Sequence, residues 1–315
     1  MSTADPVAIV GTGLVGMGWA IVFARAGRSV RLHDSVPGMA EKARATAAQR
    51  LTDLAAAELI DEPVGDVLAR IAIAETLAAA VDGAAYVQES VFETAPVKTA
   101  VFSDLDAVLG ERTIVGSSSS GIPASVYTGH VGFRARSLVV HPVNPPYLIP
   151  AVELVPAPWT QAATVAAARS LMLEVGQAPI VLTREINGFV LNRLQGVLLM
   201  EAWKLYEEGI ASLEDIDLTV SAGLGLRWAF MGPFETIDLN AVGGISDYAR
   251  RLAPLFADIA AERDGTHRPW PDAVVQRAEG DRDARLARAQ LPDRSGWRDR
   301  RLMALARWRK AQPES

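Results

Sequence analysis

The stretch Val7-Ala-Ile-Val10-Gly11-Thr12-Gly13-Leu14-Val15-Gly16 decides how the rest of the chain is read. Four β-type residues lead directly into Gly-x-Gly-x-x-Gly, and Met17 to Ala26 continues as a helix-compatible run. In that strand-turn-helix context Gly11 makes the tight turn and Gly13 lets a pyrophosphate approach the backbone. Gly16 lets helix and strand pack closely, with the phosphates at the helix N-terminus. The glycine pattern alone is weakly specific. Its weight comes from the next run, Ser29-Val-Arg-Leu-His33, which ends at Asp34, 18 positions beyond Gly16. A carboxylate there accepts from an adenosine ribose hydroxyl and repels a 2′-phosphate. The following Ser35-Val36-Pro37 offers no arginine, so NAD is favoured over NADP.

Further on, Met39 to about Arg70 is alanine-rich and helical, broken at Pro63, and Ile71 to Ala74 reads as a strand. Ala84 to Gln88 is another strand, with Glu89 at its C-terminal end and Glu93 and Lys98 just beyond. Ligands of an open parallel sheet sit past the carboxyl ends of its strands, which makes Glu93 and Lys98 candidates for the nicotinamide side; an exposed charge pair is the plainer reading. Thr113 to Gly116 ends in Ser117-Ser-Ser-Ser120-Gly121, a row of hydroxyls at the same sheet edge, one of which could bond a substrate oxygen. A nucleophile elbow centred on Ser119 fails, because it needs a glycine where Ser117 stands.

Two later β-type runs, Ser137-Leu-Val-Val-His141 and Pro150-Ala-Val-Glu153-Leu-Val, carry a histidine and a carboxylate near their ends. An imidazole, with a reference pKa of about 6.5, takes a hydroxyl proton at neutral pH when a second group fixes its tautomer. Glu153 is the nearest candidate for that group. Prolines at 142, 145, 146 and 150 force the chain out of the strand in a stiff turn. A strand-capping histidine beside a solvated glutamate is the bland alternative. After a helix over Thr160 to Val175 and a last strand over Ala178 to Leu182, the sheet domain, residues 1–186, ends.

From Asn187, a plausible N-cap, the pattern is helical to the end, defining a second domain over 187–315. Gly188 to Tyr206 is apolar round most of its circumference, Ser212 opens a second helix, and three more follow over 245–261, 273–289 and 297–310. An all-round apolar helix needs a large partner, and a second copy of the chain is the simplest supplier, so a homodimer through this domain is expected. Asn192 interrupts that helix as either a buried amide or a ligand-facing one. The fold class is therefore α/β: a Rossmann-type, doubly wound, mostly parallel sheet followed by an all-helical dimerisation domain.

Composition narrows the function. The chain has 315 residues, half of them hydrophobic, with 31 basic against 37 acidic residues and a net charge of −6. There is no basic block to meet nucleic acid, and a small molecule is the expected partner. Without cysteine there is no thiolate nucleophile or zinc-sulfur site, and no metal centre is expected; a cytoplasmic location fits. Pro6 to Ala24 is uncharged for 19 residues, but four glycines interrupt it and no basic residue precedes it, so neither a membrane span nor a signal segment is expected.

Taken with His-Pro-Val-Asn-Pro-Pro-Tyr147, Val-Glu153-Leu-Val-Pro, Gly188-Phe-Val-Leu-Asn-Arg-Leu-Gln, Glu201-Ala-Trp and Gly223-Leu-Gly-Leu-Arg-Trp-Ala-Phe-Met-Gly-Pro, these features resemble the 3-hydroxyacyl-CoA dehydrogenase superfamily, and within it the L-gulonate 3-dehydrogenase branch. The resemblance spans nearly the whole chain. It implies NAD contacts at Leu14, Val15, Asp34, Glu93 and Lys98, a catalytic role for His141 supported by Glu153, and substrate contacts at Ser120 and Asn192. It implies oxidation of the C3 hydroxyl of a sugar acid. Arg227 is the candidate cation for the sugar-acid carboxylate, because its planar fork donates to one bidentately. Two alternatives stay open: a dehydrogenase for 3-hydroxyacyl-CoA or a small 3-hydroxy acid such as carnitine, and a non-catalytic NAD-binding structural protein.

Overall fold

The structure is a computed structural model that describes residues 5–263 and 270–312. Its centre is an eight-stranded sheet: β1 (Val7–Val10), β2 (Val30–His33), β3 (Ile71–Ile73), β4 (Tyr86–Glu89), β5 (Ile114–Ser117), β6 (Ser137–Pro142), β7 (Ala151–Pro156) and β8 (Ala178–Val181). The order is β3-β2-β1-β4-β5-β6-β7-β8, so the winding reverses between β1 and β4. Every pairing is parallel except β6 with β7. That short antiparallel hairpin places His141 and Glu153 directly opposite one another.

Alternation along each strand splits the core into two layers, because successive side chains leave opposite faces. Val7, Ile9, Tyr86, Leu138 and Val140 join one buried cluster, and Ala8, Val10, Val87 and Val139 join the other. Helices α1 (Leu14–Arg25) and α2 (Met39–Ala56) supply Trp19, Phe23, Leu51 and Leu54 to the first layer. The short helices α3 (Val64–Ala69) and α4 (Leu77–Val81) follow. Phe102 and Leu105 of α5 (Ala95–Asp106) join the second layer, and α6 (Ala162–Glu174) returns to the first with Leu171 and Met172. Burying a side chain such as Ile9 or Phe102 stabilises by about 1.5–3 kcal/mol each.

The next helix, α7 (Leu191–Glu207), begins later than its apolar pattern suggests. Gly188 and Phe189 take positive φ values of +71° and +50°, so the backbone turns before it coils and Asn187 is not the cap. The chain divides into two compact units, one of residues up to Arg193 together with those from Arg294 onward, the other Leu194–Asp293. The second unit holds the rest of α7, α8 (Leu213–Leu218), a π-helical turn (Thr219–Leu224), α9 (Gly225–Trp228), α10 (Pro233–Leu239), α11 (Gly244–Glu262) and α12 (Asp272–Asp283). Ser212 caps α8 by accepting from Asp215 N–H. Within this unit Trp203 stacks on Trp270 at 4.6 Å, and Arg277 lies 4.3 Å over the ring of Tyr206. The sequence grouped the last helix, α13 (Leu291–Lys310), with this unit, yet from Arg294 it packs on the first, where Met303 enters the core and Lys310 pairs with Asp61.

Candidate active site

The glycine turn is built around close approaches. Gly11 has φ +88°, and a Cβ there would meet the backbone of Ser90 at 2.7 Å; a Cβ on Gly16 would meet the Gly11 carbonyl oxygen at 2.0 Å. A Cβ on Gly13 would meet nothing within 4 Å, because that position faces an open groove. The groove, of about 610 Å³, is lined by Gly11 to Val15, Asp34 to Val36, and Ser90 to Glu93. Gly13 stands at the N-terminus of α1, where unpaired N–H groups favour phosphate. Leu14 is 64% exposed at this edge, an apolar side chain available to a ligand.

Asp34 ties the two sides of the turn together. Its Oδ2 accepts from Thr12 N–H at 2.7 Å and from the Thr12 hydroxyl at 2.9 Å, and its Oδ1 accepts from Val36 N–H at 3.0 Å. A carboxylate has about four lone-pair sites, so one on Oδ1 remains for a ribose hydroxyl. Among the described residues lining the groove there is no Lys or Arg to meet a 2′-phosphate. These residues fit NAD.

On the other side of β1, Glu89 ends β4 and is fully buried, as is Lys98 in the first turn of α5. Lys98 Nζ donates to both Glu89 oxygens at 3.0 and 3.1 Å and pairs with Glu93 at 3.3 Å. Glu93 in turn organises the serine loop. Its Oε1 accepts from the Ser119 hydroxyl at 2.7 Å and from the backbone N–H of Ser120 and Gly121 at 2.8 and 3.1 Å. Burial raises the Glu93 pKa, but the Ser119 hydroxyl, Lys98 and the two N–H groups outweigh it, and the carboxyl ends below its ordinary value. Lys98 is thus no surface charge, and Ser119, not only Ser120, is held by this network. Asn192 Nδ2 donates to the Ser120 carbonyl at 2.5 Å, so the Ser120 backbone is gripped from both sides.

Ser117 pairs with Val139 across β5 and β6, which brings the serine loop off the sheet beside the end of β6. There His141, 6% exposed, places Nδ1 2.8 Å from Glu153 Oε2. A carboxylate only accepts, so in the neutral ring Nδ1 carries the proton and Nε2 the lone pair. The other oxygen of Glu153, Oε1, accepts from the N–H groups of Val190 and Leu191 at 2.7 and 2.9 Å. Two of the orphan donors at the start of α7 are therefore satisfied by a side chain from β7. Burial raises the Glu153 pKa, but His141 and those two N–H groups together bring it below the ordinary value. Phe189 closes the far side, its ring centroid 5.8 Å from that of His141.

The first unit thus gathers His141, Glu153, Ser120, Asn192, Glu93, Lys98, Asp34 and the glycine turn at one sheet edge. Arg227 lies elsewhere in the chain, exposed in α9 of the second unit. Sequence reasoning gave no role to Glu89 or Thr12, whose neighbours are set by strand register and not by any local pattern.

A dinucleotide groove at a reversal of strand order, with an imidazole base candidate at the same edge, is the construction of an NAD-dependent oxidoreductase acting on a CH–OH group. The chain belongs to the 3-hydroxyacyl-CoA dehydrogenase family: residues 6–186 match the family's NAD binding domain and residues 188–281 its C-terminal domain. It is 38% identical to lambda-crystallin of Oryctolagus cuniculus over 99% of this chain and 98% of that protein. It is 35% identical to L-carnitine dehydrogenase of Streptomyces griseus over 96% of this chain and 89% of that one. Among solved structures, the NAD+-dependent dismutase 5-formyl-3-hydroxy-2-methylpyridine 4-carboxylic acid 5-dehydrogenase superposes with a TM-score of 0.83 at 29% identity, covering 98% of this chain and all of that one. Among the described residues, no helix is long and apolar enough to cross a membrane.

Proposed function

We propose that the protein oxidises the C3 hydroxyl of a sugar acid, L-gulonate to 3-dehydro-L-gulonate, with His141 as the base and NAD as hydride acceptor. The observation that carries the base assignment is the 2.8 Å contact between His141 Nδ1 and Glu153, which leaves Nε2 as the proton acceptor. Full-length similarity to lambda-crystallin and the resemblance of the His141 and Glu153 segments to L-gulonate 3-dehydrogenases support the substrate.

In this reading Nε2 of His141 takes the hydroxyl proton, and Glu153 stabilises the imidazolium that results. NAD held in the groove by the glycine turn and Asp34 would supply a hydride acceptor for the carbinol carbon. Ser120 and Asn192 orient the substrate oxygen. A base so placed contributes roughly 10²–10⁴ in rate. A non-catalytic role is disfavoured, since nothing about NAD binding alone requires a buried His–Glu pair. Similarity to L-carnitine dehydrogenase favours a second reading, in which the substrate is a small 3-hydroxy acid.

We further infer a cytoplasmic homodimer formed through the second unit. That unit exposes Leu194, Val197 and Met200 on α7 and Leu255, Phe256 and Ile259 on α11, an apolar surface of the kind a second copy covers. Light scattering of the wild type and of Val197→Glu tests it; a wild-type monomer would refute it.

NADH absorbance with L-gulonate, L-carnitine and 3-hydroxybutyryl-CoA, on wild type and His141→Ala, tests the catalytic reading. Turnover of L-gulonate that disappears in the variant is expected. Turnover of L-carnitine or the thioester alone would replace the substrate, and full activity in the variant would remove the base.

A further inference from the structure

Lys98 is unusually placed for a lysine. It stands in the first turn of α5, where the helix macrodipole favours anions over cations, and it is wholly buried. Two carboxylates hold it there. Glu89 Oε1 accepts from Lys98 and from Val91 N–H, the latter at 2.7 Å, while its Oε2 accepts from Lys98 and from the Ser117 hydroxyl at 2.5 Å. All four contacts come from donors, the set a carboxylate accepts on its two oxygens. Glu93 is the second, at 3.3 Å from the ammonium. Two negative charges therefore face one positive charge, and the cluster is net negative by one.

Its position in the sheet gives that charge a target. Asp34 ends the groove on the β2 side of β1 and suits the adenosine ribose, so a dinucleotide crossing the glycine turn puts its other half on the β4 side. Glu89 pairs with Val10 in register at that point, and Glu93 lines the groove. The other titratable residues lining the groove are His33, Asp34 and Asp104. The nicotinamide ring is a cation when oxidised and neutral when reduced. An excess of negative charge beside it, partly screened by solvent because the Glu93 side chain is 37% exposed, acts on the first form and hardly on the second.

We propose that Glu89, which is fully buried, makes the nicotinamide half of the groove selective for oxidised over reduced cofactor. This rests on NAD as the cofactor but not on which alcohol is oxidised. Packing alone does not call for such a cluster, because apolar residues of similar volume serve as well as buried ion pairs. Glu89→Gln keeps the size and an acceptor for Val91, and leaves Lys98 paired with Glu93. The cluster then becomes neutral.

The test is titration of the wild type, Glu89→Gln and Glu93→Gln with NAD+ and with NADH, read as dissociation constants by calorimetry. Each variant is expected to raise the ratio Kd(NAD+)/Kd(NADH) by about three- to tenfold, the scale of one unit charge acting through partly screened protein. Two substitutions at different positions moving the ratio in one direction would identify charge as the cause. A Glu89→Gln protein whose two constants change by the same factor, or not at all, would overturn the proposal. Should Glu89→Gln not fold, Glu93→Gln decides, since its carboxylate is half-exposed. Wild type that binds neither nucleotide would instead remove the cofactor assignment on which the proposal stands.

Discussion

His141 and Glu153 face each other across the antiparallel β6–β7 pair, and the carboxylate that receives His141 Nδ1 at 2.8 Å also holds the first N–H groups of α7. One side chain thus sets a tautomer and anchors a helix. Glu153→Gln separates these duties. If the amide oxygen keeps the α7 N–H groups, its NH₂ faces Nδ1 and drives the ring proton to Nε2, where it blocks proton uptake. We expect kcat to fall by roughly 10²-fold or more, with the dissociation constant for NAD little changed. Glu153→Ala would in addition lose about 1–3 kcal/mol of stability from uncapped donors. Equal kcat in wild type and Glu153→Gln would show that tautomer control is not the role of this residue.

Glu153 and Glu93 both have folded-state pKa values lowered below the ordinary 4.5. The stabilisation each gives is fully present above the unfolded-state value and is lost as pH falls through the folded one. Thermal melts are therefore expected to show this contribution unchanged from neutral pH down to about 5 and to lose it below about 4.5. In the Glu93→Gln variant the acid limb should be shallower. An identical acid limb in that variant would mean the Glu93 network does not contribute to stability.

Much of this architecture was legible in the sequence because it is written in local pattern. The glycine turn, Asp34, the strand ends and the Ser212 cap all follow from residue types at short spacing. The His–Glu pair was legible as two strand ends, but its contact depends on β6 and β7 running antiparallel, which the proline-rich turn between them only suggests. Glu89 reads as the polar end of a strand; its meeting with Lys98 requires α5 to return over β4. The start of α7 was misplaced for a related reason. Apolar periodicity runs back through Phe189, yet the positive φ values at Gly188 and Phe189 and a cap from β7 make the helix begin at Leu191. The pairing of α13 with the first unit likewise depends on long-range contacts such as Lys310 with Asp61.

Gly13 and Gly16 sit three residues apart and should respond oppositely to substitution. At Gly13 an added side chain enters open groove, so Gly13→Val should fold with an unchanged melting temperature and lose NAD binding. At Gly16 a single methyl meets the Gly11 carbonyl at 2.0 Å, so Gly16→Ala should destabilise by about 1–3 kcal/mol through overpacking. Melting curves and NAD titration of the pair check both. Retained NAD affinity in Gly13→Val would mean that the pyrophosphate does not cross this face of the turn.

Asp34 closes the groove at its adenosine end with one lone-pair site remaining. Asp34→Ala removes that acceptor and also releases Thr12 from two hydrogen bonds. NAD affinity should fall by about tenfold, and discrimination against NADP should shrink, since the charge that repels a 2′-phosphate is gone. Paired titrations with NAD+ and NADP+ measure both effects. An unchanged preference would place the discrimination at some other residue.

Ser120 and Asn192 meet through a backbone carbonyl, and this separates what each side chain can do. The Ser120 backbone is fixed by Glu93 at its N–H and by Asn192 at its C=O, whereas its hydroxyl lies 3.4 Å from Glu93 and is only loosely engaged. Ser120→Ala therefore leaves the loop intact, and its melting temperature should match the wild type. Any loss in kcat/KM then reports a direct contact between that hydroxyl and the substrate, worth about 0.5–1.5 kcal/mol for a neutral hydrogen bond. Asn192→Ala frees the carbonyl as well, so it should lower both the melting temperature and kcat/KM. If Ser120→Ala retains full kcat/KM while Asn192→Ala does not, the loop acts through its shape and the hydroxyl carries none of the recognition.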